Sequence, residues 1–223
     1  MKEKLSKQYN KLAKDFSLNQ KRKNQTSRNE MYKYVGKNLS GLKILDLACG
    51  DGTDVNYYSK LKGQVIGIDS SNELLKIAKI KYPNNLFTYG LGENMPFKND
   101  YFDAVYSKYA IMTSKNIEPI FEEVYRVLKK GGIFIYLVTH PFRQFIERKE
   151  NNTDYFKQKV VNSIILDGTV KLKEPTHTMN EYFNKTFFER FELIDFKESW
   201  DPAAEQIGGN KYPCYFIVKT RKK

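Results

Sequence analysis

The sequence predicts a doubly wound α/β domain, with a central, mostly parallel sheet of about seven strands and the last strand antiparallel. Three observations carry that expectation. Short apolar runs of strand length alternate with helical periodicity from residue 43 to residue 138. The first run, ending at Leu47, stops at Ala48-Cys49-Gly50-Asp51-Gly52, two glycines spaced one apart before a helical segment. The second run ends on Asp69, an acid at a strand terminus where ligands bind in open α/β sheets.

Each element can be justified in order. Leu5, Tyr9, Leu12 and Phe16 recur at near-helical spacing between lysines, giving an amphipathic helix. Such a helix can lie on a membrane, but its apolar stripe is short, which favours packing on its own domain. A polar break is expected at Asn19 to Asn24, then a second helix to about Lys37 and a turn at Ser40-Gly41. Strands are expected at 43–47, 64–69, 86–89, 102–107 and 132–138. The helices between them are 53–60 with Thr53 as N-cap, 72–81 ending before Pro83, and 118–129 closed by Gly131-Gly132. Beyond Pro141 the pattern changes. Residues 142–160 read as helix or loop, 164–172 as a hairpin turning at Asp167-Gly168, 178–188 as helix, and 190–198 and 212–219 as the final strands. Residues 1–223 then form a single domain, with helices of 1–40 as a lid and an insertion at 141–176 that binds substrate.

Composition narrows the function. Of 223 residues 40% are hydrophobic, enough for a core, and no apolar run is long enough to span a bilayer. The first residues, Met-Lys-Glu-Lys-Leu-Ser-Lys, carry no signal-peptide stretch, so a cytoplasmic protein is expected. Two cysteines, Cys49 and Cys214, cannot make a disulfide framework. The net charge of +12 suggests nucleic acid until it is located. Residues 1–28 hold nine Lys/Arg against Glu3 and Asp15, and Lys219, Arg221, Lys222 and Lys223 add four at the other end. The body is near neutral, so no basic face tracks a phosphate backbone and a nucleic-acid partner is not expected. No metal-ligand spacing is present.

The chemistry gathers at strand ends. Gly50 and Gly52 permit a tight turn and close approach of a ligand to the main chain, and helix-start N–H groups there can receive polar ligand atoms. The Asp69 carboxylate can accept hydrogen bonds from both hydroxyls of a ribose. A third turn, Leu91-Gly92-Glu93-Asn94-Met95-Pro96-Phe97, is followed by Tyr101-Phe102-Asp103-Ala104-Val105. With all three in this order, the chain resembles the class I S-adenosylmethionine-dependent methyltransferases of the ubiquinone/menaquinone-methylase-like small-molecule group, closely over about 40–140. The resemblance implies a Rossmann-like fold and S-adenosylmethionine as cofactor. It implies that Asp46, Ala48, Gly50 and Gly52 line the methionine end, Asp69 and Ser70 hold the ribose and flank the adenine, and Gly92 and Glu93 meet the adenine edge. Ser107 and Lys108 would hold the amino-acid group through their backbone, and Tyr9 would close over the cofactor from the N-terminal helix. Leu91 stands where this group usually has Asp, so Glu93 or a main-chain carbonyl would read the adenine amino group. Ala48 stands where Gly is common. A NAD site fits less well, because Val55 occupies the position of the third glycine in G-x-G-x-x-G.

The acceptor is less legible. Ser107-Lys108-Tyr109-Ala110 lacks the Asn/Asp-Pro-Pro-Tyr arrangement associated with methylation of exocyclic or amide nitrogens, and neither cysteine is placed as a nucleophile. The expected function is methylation of a small molecule on O, N or C. The alternative is an RNA or protein methyltransferase docking through its basic ends. His140, just past the fifth strand, is the candidate general base, with a structural hydrogen-bonding role as the other reading. Tyr109, Arg143, His177 and Tyr182 are candidate acceptor contacts. Arg28 could meet an anionic substrate or the cofactor carboxylate, or be solvated surface. The protein is expected as a monomer or homodimer.

Overall fold

The computed structural model describes residues 2–23, 25–147, 154–158, 160–165, 170–202, 204, 206 and 208–223. Five strands form the parallel half of the sheet: β1 (Lys43–Leu47), β2 (Gln64–Asp69), β3 (Leu86–Tyr89), β4 (Phe102–Lys108) and β5 (Leu128–Thr139). A separate antiparallel pair, β6 (Val160–Ile165) and β7 (Val170–Pro175), follows them. The chain ends with β8 (Phe191–Ser199) and β9 (Tyr215–Lys222). The main sheet has seven strands in the order β3-β2-β1-β4-β5-β9-β8, and β9 runs antiparallel to both of its neighbours. The order reverses at β1 and β4, so a crevice opens at the carboxyl ends of β1 and β4.

Helices α1 (Lys2–Lys23), α2 (Gln25–Val35), α3 (Thr53–Lys60), α4 (Asn72–Lys81), α5 (Glu118–Val127), α6 (Pro141–Glu147), α7 (Met179–Tyr182) and α8 (Lys185–Arg190) cover the sheet. Because both faces are covered, β1 is buried almost throughout. One face carries an aromatic core of Phe121, Phe134, Tyr136, Phe187, Phe191 and Phe216. The other packs Met31, Val35, Leu39, Val55, Tyr58 and Tyr106, with the free thiols of Cys49 and Cys214 buried among them.

Several boundaries differ from expectation, each for a local reason. Helix α1 continues through the expected polar break to Lys23. Gly52, at φ 78°, takes the N-cap position of α3, and Thr53 is the first helical residue. Helix α5 stops at Val127 because buried Leu128 turns extended to pair with Phe102. Gly131, at φ 75°, and Gly132 therefore form an irregularity inside β5 rather than a helix cap. The helix expected at 178–188 is two short helices, because that stretch holds two caps: a Thr178–Glu181 capping box, and Asn184 accepting from the Phe187 amide at 2.8 Å. The β6–β7 hairpin exists, while its expected turn at Asp167-Gly168 lies outside the described residues.

Helix α1 lies between α4 and the hairpin. The Asn10 side-chain oxygen accepts from Ser71 Oγ (2.7 Å) and the Glu73 amide (3.2 Å) on one side. On the other, Gln8 exchanges two hydrogen bonds with the Lys173 backbone, and Tyr9, Leu12 and Phe16 pack on Val170 and Leu172. Tyr9, Leu12 and Phe16 of the N-terminal amphipathic helix thus pack on its own domain.

Candidate active site

β1 leads into a turn of left-handed residues: Ala48 at φ 60°, Gly50 at 55° and Gly52 at 78°. Gly52 has no room for a side chain, since a Cβ would sit 2.6 Å from Cζ of Phe87. Ala48 adopts the same backbone region at a cost of roughly 1 kcal/mol. Asp51 braces the turn. Its Oδ1 accepts from the Thr53 amide (3.3 Å) and hydroxyl (2.8 Å), and its Oδ2 from Ser17 Oγ (2.8 Å) and Lys81 Nζ (2.5 Å). Burial pushes the Asp51 carboxyl up, but these hydrogen bonds outweigh it and the group lies below its usual range.

Asp69 joins two turns. Its Oδ2 accepts from the Gly50 amide and its Oδ1 from the Ser71 amide, both at 2.8 Å. Burial still raises its carboxyl above the ordinary value, against those backbone hydrogen bonds. Each oxygen keeps acceptor capacity, and Asp69 lines a cavity of about 1040 Å³. Ala48, Ser70, Leu91, Gly92 and Glu93 share that wall, and Glu93 also accepts from Ser114 Oγ at 2.9 Å. Lys7, Gln8 and Lys11 of α1 close one side, and Val160, Lys173 and Pro175 of the hairpin another.

Behind the glycine turn lies a buried charge cluster centred on Asp54. Arg28 Nε (3.0 Å) and Tyr32 OH (2.5 Å) donate to Oδ1, and Lys108 Nζ donates to Oδ2. Arg28 is only 3% exposed, so it is not solvated surface. Burial raises Asp54, yet the charges of Lys108 and Arg28 hold it below the usual carboxylate range. Asp46 is the reverse case. Burial, then the Asp54 charge, pushes it well above its ordinary value, and its Oδ2 has no hydrogen-bond partner.

Known proteins fit this geometry. The methyltransferase domain family matches residues 45–136. An uncharacterised methyltransferase of Synechocystis is 39% identical over 102 residues, 45% of this chain and 48% of that relative, so the alignment spans about half the relative's length. A demethylmenaquinone methyltransferase of Lactococcus lactis is 29% identical over 202 residues, 82% of this chain and 76% of that one. The fold matches a Listeria monocytogenes structure described as an S-adenosylmethionine-dependent methyltransferase, with TM-score 0.70, 24% identity and coverage of 87% and 97%. Residues 45–136 thus match a methyltransferase domain, and over most of its length the chain is similar to a demethylmenaquinone methyltransferase.

The residues present fit S-adenosylmethionine. Asp46 Oδ2 and Ser107 Oγ are buried without hydrogen-bond partners, as a site for an ammonium group requires. Asp69 offers acceptors to a ribose, and at Gly92 the atoms nearest to where a Cβ would stand are side-chain carbons of Leu47 and Ile120, none closer than 3.5 Å. Of the residues expected at the cofactor, Ala48, Asp69, Ser70, Gly92 and Glu93 line the cavity. Gly50 lies beneath Phe16, while Gly52 faces Phe87 and serves packing. The Lys108 side chain turns back to Asp54. Tyr9 lies near both Asp69 and Glu174, whose charges add to burial in raising its phenol.

The expected acceptor residues go elsewhere. His140 is buried with both ring nitrogens engaged, Nε2 with Glu198 Oε1 (2.8 Å) and Nδ1 accepting from the Phe142 amide (3.0 Å). It caps α6, and burial lowers its pKa against the pull of Glu198. This placement supports the structural reading over the general base. His177 is a pin, with Nε2 3.0 Å from the Met112 carbonyl and Nδ1 3.1 Å from Glu181. Tyr182 is core, its ring 5.1 Å from that of Phe216. Tyr109 hydrogen-bonds Ser27, and Arg143 is 3.8 Å from Asp201. None of the five lines the cavity. Sequence reasoning missed the Asp54 cluster, whose members lie 22 to 54 residues from Asp54 with no motif spacing. The available signal was an acid in the first turn of α3, directly after the glycine turn.

Proposed function

We propose that the protein transfers the methyl group of S-adenosylmethionine to a small molecule, in the cytoplasm. The observation that carries this reading is the cavity, which runs from Asp69 and Gly92 to the hairpin and is closed by α1. Asp69 would hold the ribose, Gly92 and Glu93 the adenine, and Asp46 with the Asp54 cluster the charged methionine end. S-adenosylmethionine supplies an electrophilic methyl group when bound. The chain's part is to fix the geometry of an in-line displacement and exclude water.

The relatives named as quinone-pathway enzymes, from Lactococcus lactis and Campylobacter jejuni, make an aromatic acceptor the first to try. Among the described residues, the basic ends lie apart. Lys7 and Lys11 border the cavity, but antiparallel β9 carries Lys222 to the opposite end of the sheet, where it bonds Asp100 and the Leu128 carbonyl. Calorimetry with S-adenosylhomocysteine tests the reading. Asp69→Ala should lower affinity at least tenfold through loss of charged hydrogen bonds. Undiminished affinity, or NAD binding in its place, would overturn it.

A further inference from the structure

The cavity is electrically lopsided. Among the described residues, the carboxylates that line it are Asp69 and Glu93, and both belong to the part assigned to the donor. Lys7, Lys11, Lys115 and Lys173 line it as well. They come from three other places: α1, the connection after a 3₁₀ turn at Ile111–Thr113, and β7 of the hairpin. All four are exposed, so they stand at the opening rather than on the floor. Lys7 and Lys11 share one face of α1 a single turn apart, a like-charged spacing that is unfavourable by itself. Lys11, Lys115 and Lys173 make no ion pair with a described residue. Lys33, Lys76, Lys81, Lys108, Lys129 and Lys222, by contrast, are each held by a carboxylate.

The backbone that carries these lysines is fixed. The Gln8 side chain bonds the Lys173 amide (2.9 Å) and carbonyl (3.3 Å), which sets α1 and β7 in one register beside the opening. Gln158 Nε2 donates to the Lys115 carbonyl at 2.9 Å, and His177 Nε2 lies 3.0 Å from the Met112 carbonyl just before it. Ile111, Pro119, Ile120, Val160 and Pro175 supply apolar surface to the same cavity. Its volume of about 1040 Å³ stands at the top of the range for one drug-sized ligand, roughly 300–1,000 Å³, which leaves room beside the donor. Ammonium groups gathered at the opening of an apolar cavity attract an anion and raise its local concentration. We propose that the acceptor is an acidic amphiphile, whose apolar body enters the cavity while Lys11, Lys115 and Lys173 receive its carboxylate or phosphate at the opening. The lysines bind and orient this molecule and take no part in breaking bonds. That it accepts a methyl group rests on the methyltransferase reading, whereas the anion site rests on the cavity alone.

The test uses the full chain saturated with S-adenosylhomocysteine and read by calorimetry. The probes are 2-naphthoate and 2-naphthyl phosphate, with 2-naphthamide as the neutral counterpart. At least one anion should bind tenfold or more tightly than the amide, and the tighter of the two identifies the acidic group. Added salt should weaken the anion and leave the amide unchanged. Lys11→Gln, Lys115→Gln and Lys173→Gln should each weaken the anion about threefold, and the triple variant about tenfold or more, as exposed charge pairs predict. Affinity for the amide and for S-adenosylhomocysteine should stay at the parent's value, and thermal unfolding verifies that each variant folds. Anions that bind no more tightly than the amide, or not at all, would overturn the proposal. Variants that lose S-adenosylhomocysteine instead would also overturn it, by giving the lysines to the donor's own carboxylate. A transfer RNA that binds where neither naphthyl anion does would overturn it in favour of a nucleic-acid acceptor. Failure of S-adenosylhomocysteine to bind the parent would instead strike the methyltransferase reading, with the anion site still read from the probes alone.

Discussion

Two sets of buried polar groups in this fold are opposite in kind. Around Asp54, both carboxylate oxygens are met by Arg28, Tyr32 and Lys108, and every element involved is fixed by that pairing. Around Tyr136, Tyr182 and Ser163, no hydroxyl is met at all. The first cluster meets both oxygens of Asp54 from within the protein and ties β4, α2 and α3 together. The second leaves the hydroxyls of Tyr136, Tyr182 and Ser163 without partners among the described residues.

The largest expected effect breaks the first cluster. Asp54→Ala leaves Arg28 and Lys108 buried without their carboxylate and should cost about 3–5 kcal/mol in a denaturant titration. A loss under 1 kcal/mol would show that the pairing contributes little. In acid, the depressed pKa of Asp54 predicts stability that is complete above the ordinary carboxylate range and lost as pH falls through the folded value. Asp46, raised rather than lowered, predicts the opposite sign: its ionisation is disfavoured by folding, so its contribution declines as pH rises toward its folded pKa. A ligand ammonium group reverses that penalty. S-adenosylhomocysteine affinity should therefore rise with pH through the Asp46 titration, by up to about tenfold per unit, and a flat profile in Asp46→Asn would check the assignment.

Smaller effects sharpen the second cluster. Tyr136→Phe and Tyr182→Phe each remove a desolvated hydroxyl and should stabilise the free protein by about 1 kcal/mol, read from denaturant midpoints. The same substitutions made at Tyr32, whose hydroxyl is bonded to Asp54, should destabilise by a similar amount. Smallest is Ala48→Gly, which relieves the left-handed alanine and should leave stability within about 1 kcal/mol of the parent, on the favourable side.

The donor half was legible in the sequence because its determinants are local. The strand, glycine turn and helix of 43–60 are contiguous, and Asp69 follows at a spacing that the fold imposes. The acceptor half is built by tertiary contact. His140 reads as a base until Glu198, 58 residues away, and the Phe142 amide occupy its two nitrogens. Tyr182 reads as a pocket residue until the core closes over its ring. Gly131-Gly132 misled for a different reason, since two glycines after a helix suit a cap and a strand irregularity equally well.

The strapping of α1 has a consequence for traffic. Phe16 lies over Gly50, Ser17 bonds Asp51, and Asn10 and Gln8 tie the helix to α4 and to β7. Anything that passes over the glycine turn must first part several of these ties together, because they share one rigid helix. Opening that side of the cavity is then a single cooperative event, since no one tie can part without straining the others on the same helix.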